Sequence, residues 1–173
     1  MPKIIPNIRE QMLAETRKQI EEKGYAATTM RSVSGACGFA VGTMYNYFES
    51  KEVLVATFVF EDLEGRFAEM QALPRDNVEE FIGGVYRIII RFMDDYYKFF
   101  ADPDAAKAFR ADMKNRRNQY RNRLAEMFMS ILVERGVENP EIVARFLAEA
   151  MIGMAADRVD FDVAYSLLKK IIA

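Results

Sequence analysis

Histidine is absent from the 173 residues and cysteine occurs once, as Cys37. A single thiol excludes an intrachain disulfide, and without histidine the usual zinc-ligand spacings cannot be built. The same absence removes the commonest general base and every Ser/His or Cys/His nucleophile pair, so only carboxylate or lysine chemistry stays open. Neither an enzyme nor a metal- or cofactor-dependent protein is expected. Long apolar runs are missing too. No stretch approaches the ~18 consecutive apolar residues of a membrane span, and Met1 to Arg9 lacks an apolar run followed by a small-residue cleavage site. A cytoplasmic protein with no membrane partner is expected. Nor is there a strong excess of one charge. The formal net of −2 argues against a protein that coats nucleic acid indiscriminately, while leaving room for a small local DNA-binding head.

What is present is ordinary core-forming material, 51% hydrophobic and 29% charged, enough for one or two compact units. Apolar residues recur at the 3.6-residue period and no segment alternates convincingly with period two, so an all-α chain of about nine helices is expected. Asn7, with Glu10 three residues on, caps a first helix carrying Ile8, Met12, Leu13, Thr16 and Ile20, which Gly24 ends. Thr28 opens a short second helix broken by Gly38, and a third runs from Ala40 to about Tyr47. Ser50 caps a longer helix from Lys51 to about Ala72, stopped by Pro74. Asp76 and Glu79 start the next, which runs to about Phe100 with Phe81, Ile82, Val85, Phe92, Met93 and Tyr96 on its apolar face. Asp102-Pro103 and Asn139-Pro140 mark two further starts, and Gly136 closes the helix between them. Pro140 to about Ala156 and Asp162 to Ile172 complete the set.

The first fifty residues thus hold three helices, of which the second and third are short and separated by a tight turn. A helix-turn-helix needs this arrangement: a supporting helix, a turn, and a second helix presenting small or polar side chains to the major groove. Residues Thr28 to Phe39 supply the first helix and turn, and Ala40 to Phe48 the second. Gly38 permits the turn; Phe39 and Met44, with Val33 and Ala36, make the small core, and Cys37 is a buried turn residue. Gly42 and Thr43 leave room for close approach to DNA.

At these residues the sequence resembles the tetracycline-repressor (TetR) family of transcriptional regulators. The resemblance runs through Gly24-Tyr25, Thr28-Thr29-Met30-Arg31, Gly38-Phe39, Gly42-Thr43-Met44-Tyr45, Tyr47-Phe48 and Ser50-Lys51-Glu52, over about the first 55 residues. It implies a helix-turn-helix DNA-binding domain at 1–50 and a helical-bundle ligand-binding and dimerisation domain at 51–173. It implies also a homodimer that represses transcription at a DNA operator until a small-molecule effector binds. Thr43 and Asn46 are the candidates for base edges, because a hydroxyl and an amide can hydrogen-bond in the groove. Thr28, Arg31, Tyr45, Tyr47 and Lys51 are the candidates for phosphates, which set register rather than sequence preference. Two features depart from the family's pattern. Ala40 and Val41 begin the recognition helix where a polar cap and a basic residue are usual, and Gly35 and Ala36 stand where basic residues are common. Through residue 50 there are six basic and five acidic side chains, a net of +1, so modest, strongly salt-dependent affinity is expected.

Behind the head, the helices from Asp76 to Arg135 are rich in Phe, Tyr and Met. Most of these are core, but a cavity for a largely hydrophobic effector would use the same side chains. The candidates are Phe92, Met93, Tyr96, Phe100, Phe109, Met113 and Tyr120, with Arg117 or Arg121 reaching an anionic group on the guest. The last two helices carry more apolar surface than they can leave exposed. Val143, Phe146, Leu147, Ala150, Met151, Met154, Leu167, Leu168 and Ile171 are the candidates for a two-fold dimer interface. Two other classes compete with a regulator: a dimeric ligand-binding or scaffold protein whose head has lost operator recognition, and a helical enzyme using Asp94, Asp95 and Glu149.

Overall fold

The structure is a computed structural model describing residues 7–107 and 116–172, with the side chains of Lys98, Phe100 and Arg117 left out. The all-α expectation holds. Among the described residues nine helices are bounded: α1 Ile8–Ala27, α2 Met30–Ala36, α3 Val41–Tyr47, α4 Lys51–Gln71, α5 Val78–Asp95, α6 Tyr97–Ala101, α7 Arg117–Glu134, α8 Pro140–Ala156 and α9 Phe161–Ile172. Residues 103–107 are helical as well, and no strand occurs among the described residues. No helix among them is long and apolar enough to cross a membrane.

The chain groups into two compact units, one of Met1–Asp62 with Tyr96–Met113 and one of Leu63–Asp95 with Lys114–Ala173. In the first, α2 packs on α1 and α3, and α6 packs on α1. Its core holds Met12, Met30, Val33, Met44, Leu54 and Tyr96, all buried. In the second, α8 packs on α7, α5 and α9. There Phe81 meets Phe128 edge to face, 6.3 Å between ring centroids, and the Tyr86 hydroxyl donates to the Val159 carbonyl at 2.7 Å.

Several helix starts differ from the sequence expectation by one residue, because a cap works only from the position directly before the first turn. Asn77 rather than Asp76 caps α5, its Oδ1 accepting from the Glu79 and Glu80 amides at 3.0 and 3.2 Å. Thr29 rather than Thr28 caps α2. Asn7 and Asn139 stand at N-cap positions, but both are left-handed and neither makes a side-chain cap bond. Ser50 and Asp102 do cap, Ser50 Oγ accepting from the Val53 amide and Asp102 Oδ1 from the Asp104 and Ala105 amides. Gly24 interrupts α1 with φ 83°, although one further turn reaches Ala27. The helix expected to reach Phe100 is interrupted at Tyr96, which lies between α5 and α6 with φ −105° and ψ 10°. Gly136, at φ 66°, closes α7 as expected, with the Val137 amide donating to the Leu132 carbonyl.

Two glycines in α5 show where the second unit is tightest. A Cβ at Gly83 would lie 2.9 Å from the Phe161 ring, and one at Gly84 2.8 Å from Leu73. Gly65, inside α4, would meet nothing within 4 Å. Gly83→Ala should therefore lower stability by about 1 kcal/mol net, overpacking outweighing the gain in helix propensity. Gly65→Ala should raise it by about 0.5–1 kcal/mol. Chemical denaturation of the two variants beside the parent checks both signs.

Candidate nucleic-acid interface

The turn between α2 and α3 is built from short-range bonds. Thr29 and Ser32 cap each other, the Ser32 amide donating to Thr29 Oγ1 and the Thr29 amide to Ser32 Oγ, both at 3.0 Å. Gln19 of α1 holds this cap from behind, accepting from Ser32 Oγ at 2.6 Å and donating to the Ser32 carbonyl at 3.2 Å. After Cys37 the chain reverses at Gly38, whose φ of 72° is a conformation that glycine adopts without penalty. The Phe39 amide then donates to the Ser34 carbonyl at 2.8 Å. Ala40 offers α3 no side-chain cap, as its methyl requires.

Below α3 lie Met44 and Val33, both with no exposure, and Phe48 at 3%. Two expected members of this core differ. Phe39 is half-buried and Ala36 is exposed, since α2 turns it away from α3. Cys37, expected to be buried, is half-buried; its Sγ donates to the Gln11 carbonyl at 3.7 Å, and burial pushes the thiol up, away from a reactive thiolate.

On the outer side Gly42 and Asn46 are exposed and Thr43 is half-buried. Tyr45 and Tyr47 are 54% and 48% exposed, so neither packs into the head's core. A Cβ at Gly42 would meet nothing within 4 Å, leaving the helix flank open. A cleft of about 400 Å³ brings Arg31, Tyr45 and Lys51 together with Thr29, Met30 and Val41. The last three were not among the sequence candidates; apolar Val41 and Met30 give no signal of a polar ligand. Thr28 does not share the surface: it is fully buried and its Oγ1 donates to the Gly24 carbonyl at 2.9 Å, closing the end of α1. Lys51 is half-buried and partly committed inward. Its Nζ donates to the Tyr25 carbonyl at 3.0 Å and stands 3.7 Å above the Tyr25 ring. The Tyr25 hydroxyl donates to Glu52 Oε1 at 3.3 Å, and burial together with Glu52 pushes that phenol up to about 12. The hydrogen bond from Ser50 in turn holds the Glu52 carboxyl below its ordinary range.

The effector candidates are divided between the units. In the first, Tyr96 is buried, stacked on Phe58 at 6.2 Å, and its hydroxyl accepts from Arg17 at 3.3 Å. In the second, Phe92 is buried and Met93 half-buried, while buried Tyr120 stacks on Phe67 at 5.6 Å. Arg121 is engaged by Glu149 at 2.8 Å. Phe109 and Met113 lie outside the described residues, as do the side chains of Phe100 and Arg117. Of the dimer candidates, Leu147, Met151 and Leu168 face their own unit's core at 1–2% exposure. Phe146 and Leu167 are exposed, and Val143, Ala150, Met154 and Ile171 half-buried, with Ile142 and Val163 exposed beside them. The three carboxylates of the enzyme reading are separately neutralised: Asp94 by Arg158, Asp95 by Arg66 at 2.6 Å and Glu149 by Arg121. Among the described residues no acidic or thiol cluster could hold a metal.

Met44→Ala should destabilise the head by about 2–5 kcal/mol, whereas Asn46→Ala, at an exposed position, should stay within about 0.5 kcal/mol of the parent. Thermal unfolding separates the two. Glu52 makes the head acid-sensitive in a defined direction. A carboxyl held low in the folded state contributes stability above its unfolded pKa of about 4.3 and loses it as pH falls further. The stability gap between parent and Glu52→Gln should therefore shrink from about pH 6 to about pH 3 in melts across that range.

Residues 12–57 match the family described as bacterial regulatory proteins, tetR family. The HTH-type transcriptional regulator UidR of Escherichia coli K12 is 29% identical over 63 residues, 36% of this chain and 32% of its own. The HTH-type transcriptional repressor KstR2 of Rhodococcus jostii is 32% identical over 72 residues, 40% of this chain and 35% of its own. The aligned stretch thus spans about a third of the length of these curated relatives. Across the whole fold, a transcriptional regulator of the TetR/AcrR family from Thermobifida fusca superposes with a TM-score of 0.61 at 20% identity, covering 95% of this chain and 96% of its own. The stretch that holds the helix-turn-helix, residues 12–57, thus matches the tetR family of bacterial regulatory proteins, and the helical fold behind it is similar to that of a TetR/AcrR regulator.

Proposed function

We propose that the protein is a ligand-responsive transcriptional regulator, acting as a repressor, that binds a palindromic operator as a homodimer and leaves it when a small, largely hydrophobic effector binds. One observation carries this reading: α3 buries only Met44 and turns Gly42, Thr43, Tyr45, Asn46 and Tyr47 outward. In the major groove Asn46 suits adenine, offering a donor and an acceptor to N7 and N6, and the Thr43 hydroxyl suits either a donor or an acceptor edge. Arg31, Tyr45 and Lys51, gathered at one cleft, would hold backbone phosphates beside it.

Dimerisation is supported by the exposed side of α8 and α9. Ile142 and Phe146 lie one turn apart, as do Val163 and Leu167, and all four are more than half exposed. Apolar rows of this kind ordinarily mark an interface. Two heads related by a two-fold axis would enter successive major grooves about 34–36 Å apart. Phe92, Met93 and Tyr120 of the second unit are the described side chains offered to the effector. An anionic guest would have to displace Glu149 from Arg121. The effector must favour a dimer whose heads no longer match the operator spacing, since equal affinity for both forms shifts nothing.

Selection from random-sequence duplex DNA with the full chain should enrich a two-fold symmetric site. Failure to enrich any sequence at low salt would favour a scaffold that has lost operator recognition. Asn46→Ala should weaken the selected site by about 5- to 150-fold, the range of a bidentate base contact, without lowering the melting temperature. If Arg31 and Lys51 of each subunit are the phosphate cations, log affinity should fall with log salt at a slope near −3.6. Sedimentation should show a dimer at micromolar concentration, and Phe146→Asp with Leu167→Asp should yield a monomer.

A further inference from the structure

The recognition helix carries no charge. From Ala40 to Phe48 there is neither an acidic nor a basic side chain, so α3 itself has no guanidinium fork for the O6 and N7 of guanine, the commonest specific contact in the major groove. Its first turn is Val41, Gly42 and Thr43. Val41 is 37% exposed, and it is β-branched at a helix start that has no side-chain cap. Local helix stability does not ask for that residue. Gly42 beside it would place a Cβ in open space and its φ is not positive, so neither packing nor backbone conformation asks for glycine. Both choices cost helix stability, and both lie where a recognition helix comes closest to base edges.

An exposed isopropyl group has one apolar partner in the major groove, the C5-methyl of thymine. We propose that Val41 is a specificity-determining residue that packs against a thymine methyl in each operator half-site, and that Gly42 lets the helix come close enough for the contact. The inference rests on the regulator reading and extends it, because it names a chemical feature of the operator. Val41 lines the same cleft as Arg31, Tyr45 and Lys51, which puts the thymine next to the phosphates those residues hold. With Asn46 suited to adenine, the half-site under α3 is read through A·T pairs.

The experiment uses the full chain and the duplex recovered by selection. Each thymine of the half-site is replaced in turn by deoxyuridine, symmetrically in both halves, which deletes the methyl and nothing else. At one position the parent protein should lose about fourfold in affinity per half-site, the worth of one buried methyl, or about fifteenfold for the dimer. Val41→Ala should lose a similar factor on the thymine site and be nearly indifferent to deoxyuridine at that position. Melting of Val41→Ala no lower than the parent's, expected where an exposed valine gives way to a better helix former, shows that the head is intact. The proposal is overturned if deoxyuridine is harmless throughout, if Val41→Ala keeps the parent's full sensitivity, or if the half-site contacted by α3 contains no thymine. An enriched site that fails these tests leaves the regulator reading standing; a pool yielding no enriched site removes both.

Discussion

The function of this chain hangs on one side chain that points the wrong way for function. A seven-residue helix has no stability of its own in water, and α3 lacks even a capping side chain. Its position is set by Met44, which is wholly buried with Val33 below it and Phe48 at the helix end. Because residues three and four apart share a helix face, sinking Met44 turns the flanking Gly42, Thr43, Tyr45 and Asn46 away from the core. The left-handed Gly38 and the Phe39 amide bond to Ser34 determine where that helix begins. Burial on one side and presentation on the other are a single event.

The electrostatics follow a different economy from that of a strongly basic DNA-binding head. The cation above Tyr25 is shared between the end of α1 and the start of α4, so Lys51 orders the head as well as offering charge. Some of the remaining charge is paired. Arg9 and Arg17 meet Glu61 and Asp62 in the first unit, while Arg123 and Arg91 meet Glu64 and Glu69 in the second. α3 itself is uncharged, and an uncharged helix can distinguish methyl groups and amide edges but contributes little long-range attraction.

Much of this was legible in the chain. The Gly38 turn, the Ser50 and Asp102 caps and the Gly136 stop all follow from side chains acting on backbone within four residues, and such signals survive without tertiary context. The cap at α5 slipped from Asp76 to Asn77 because both residues can cap and only the folded backbone chooses between them. Thr28 was misjudged for a related reason. A threonine beside a helix end can serve solvent or core, and here the Gly24 carbonyl claims its hydroxyl.

The apolar period of α8 likewise could not divide its two faces. Leu147 and Met151 face inward while Ile142 and Phe146 face outward, and a helix apolar on both sides carries no sequence mark of which side meets its own chain. The sequence by itself determined the all-helical class, the helix-turn-helix and the uncharged composition of α3, since local periodicity and turn residues act over one or two turns. Only the tertiary structure decided that Thr28 is core, that Tyr45 and Tyr47 are surface, that Lys51 leans on Tyr25, and which apolar rows are left open. Such burial and exposure are governed by how the elements pack, even where the hydrogen-bond partner is local, as Gly24 is to Thr28.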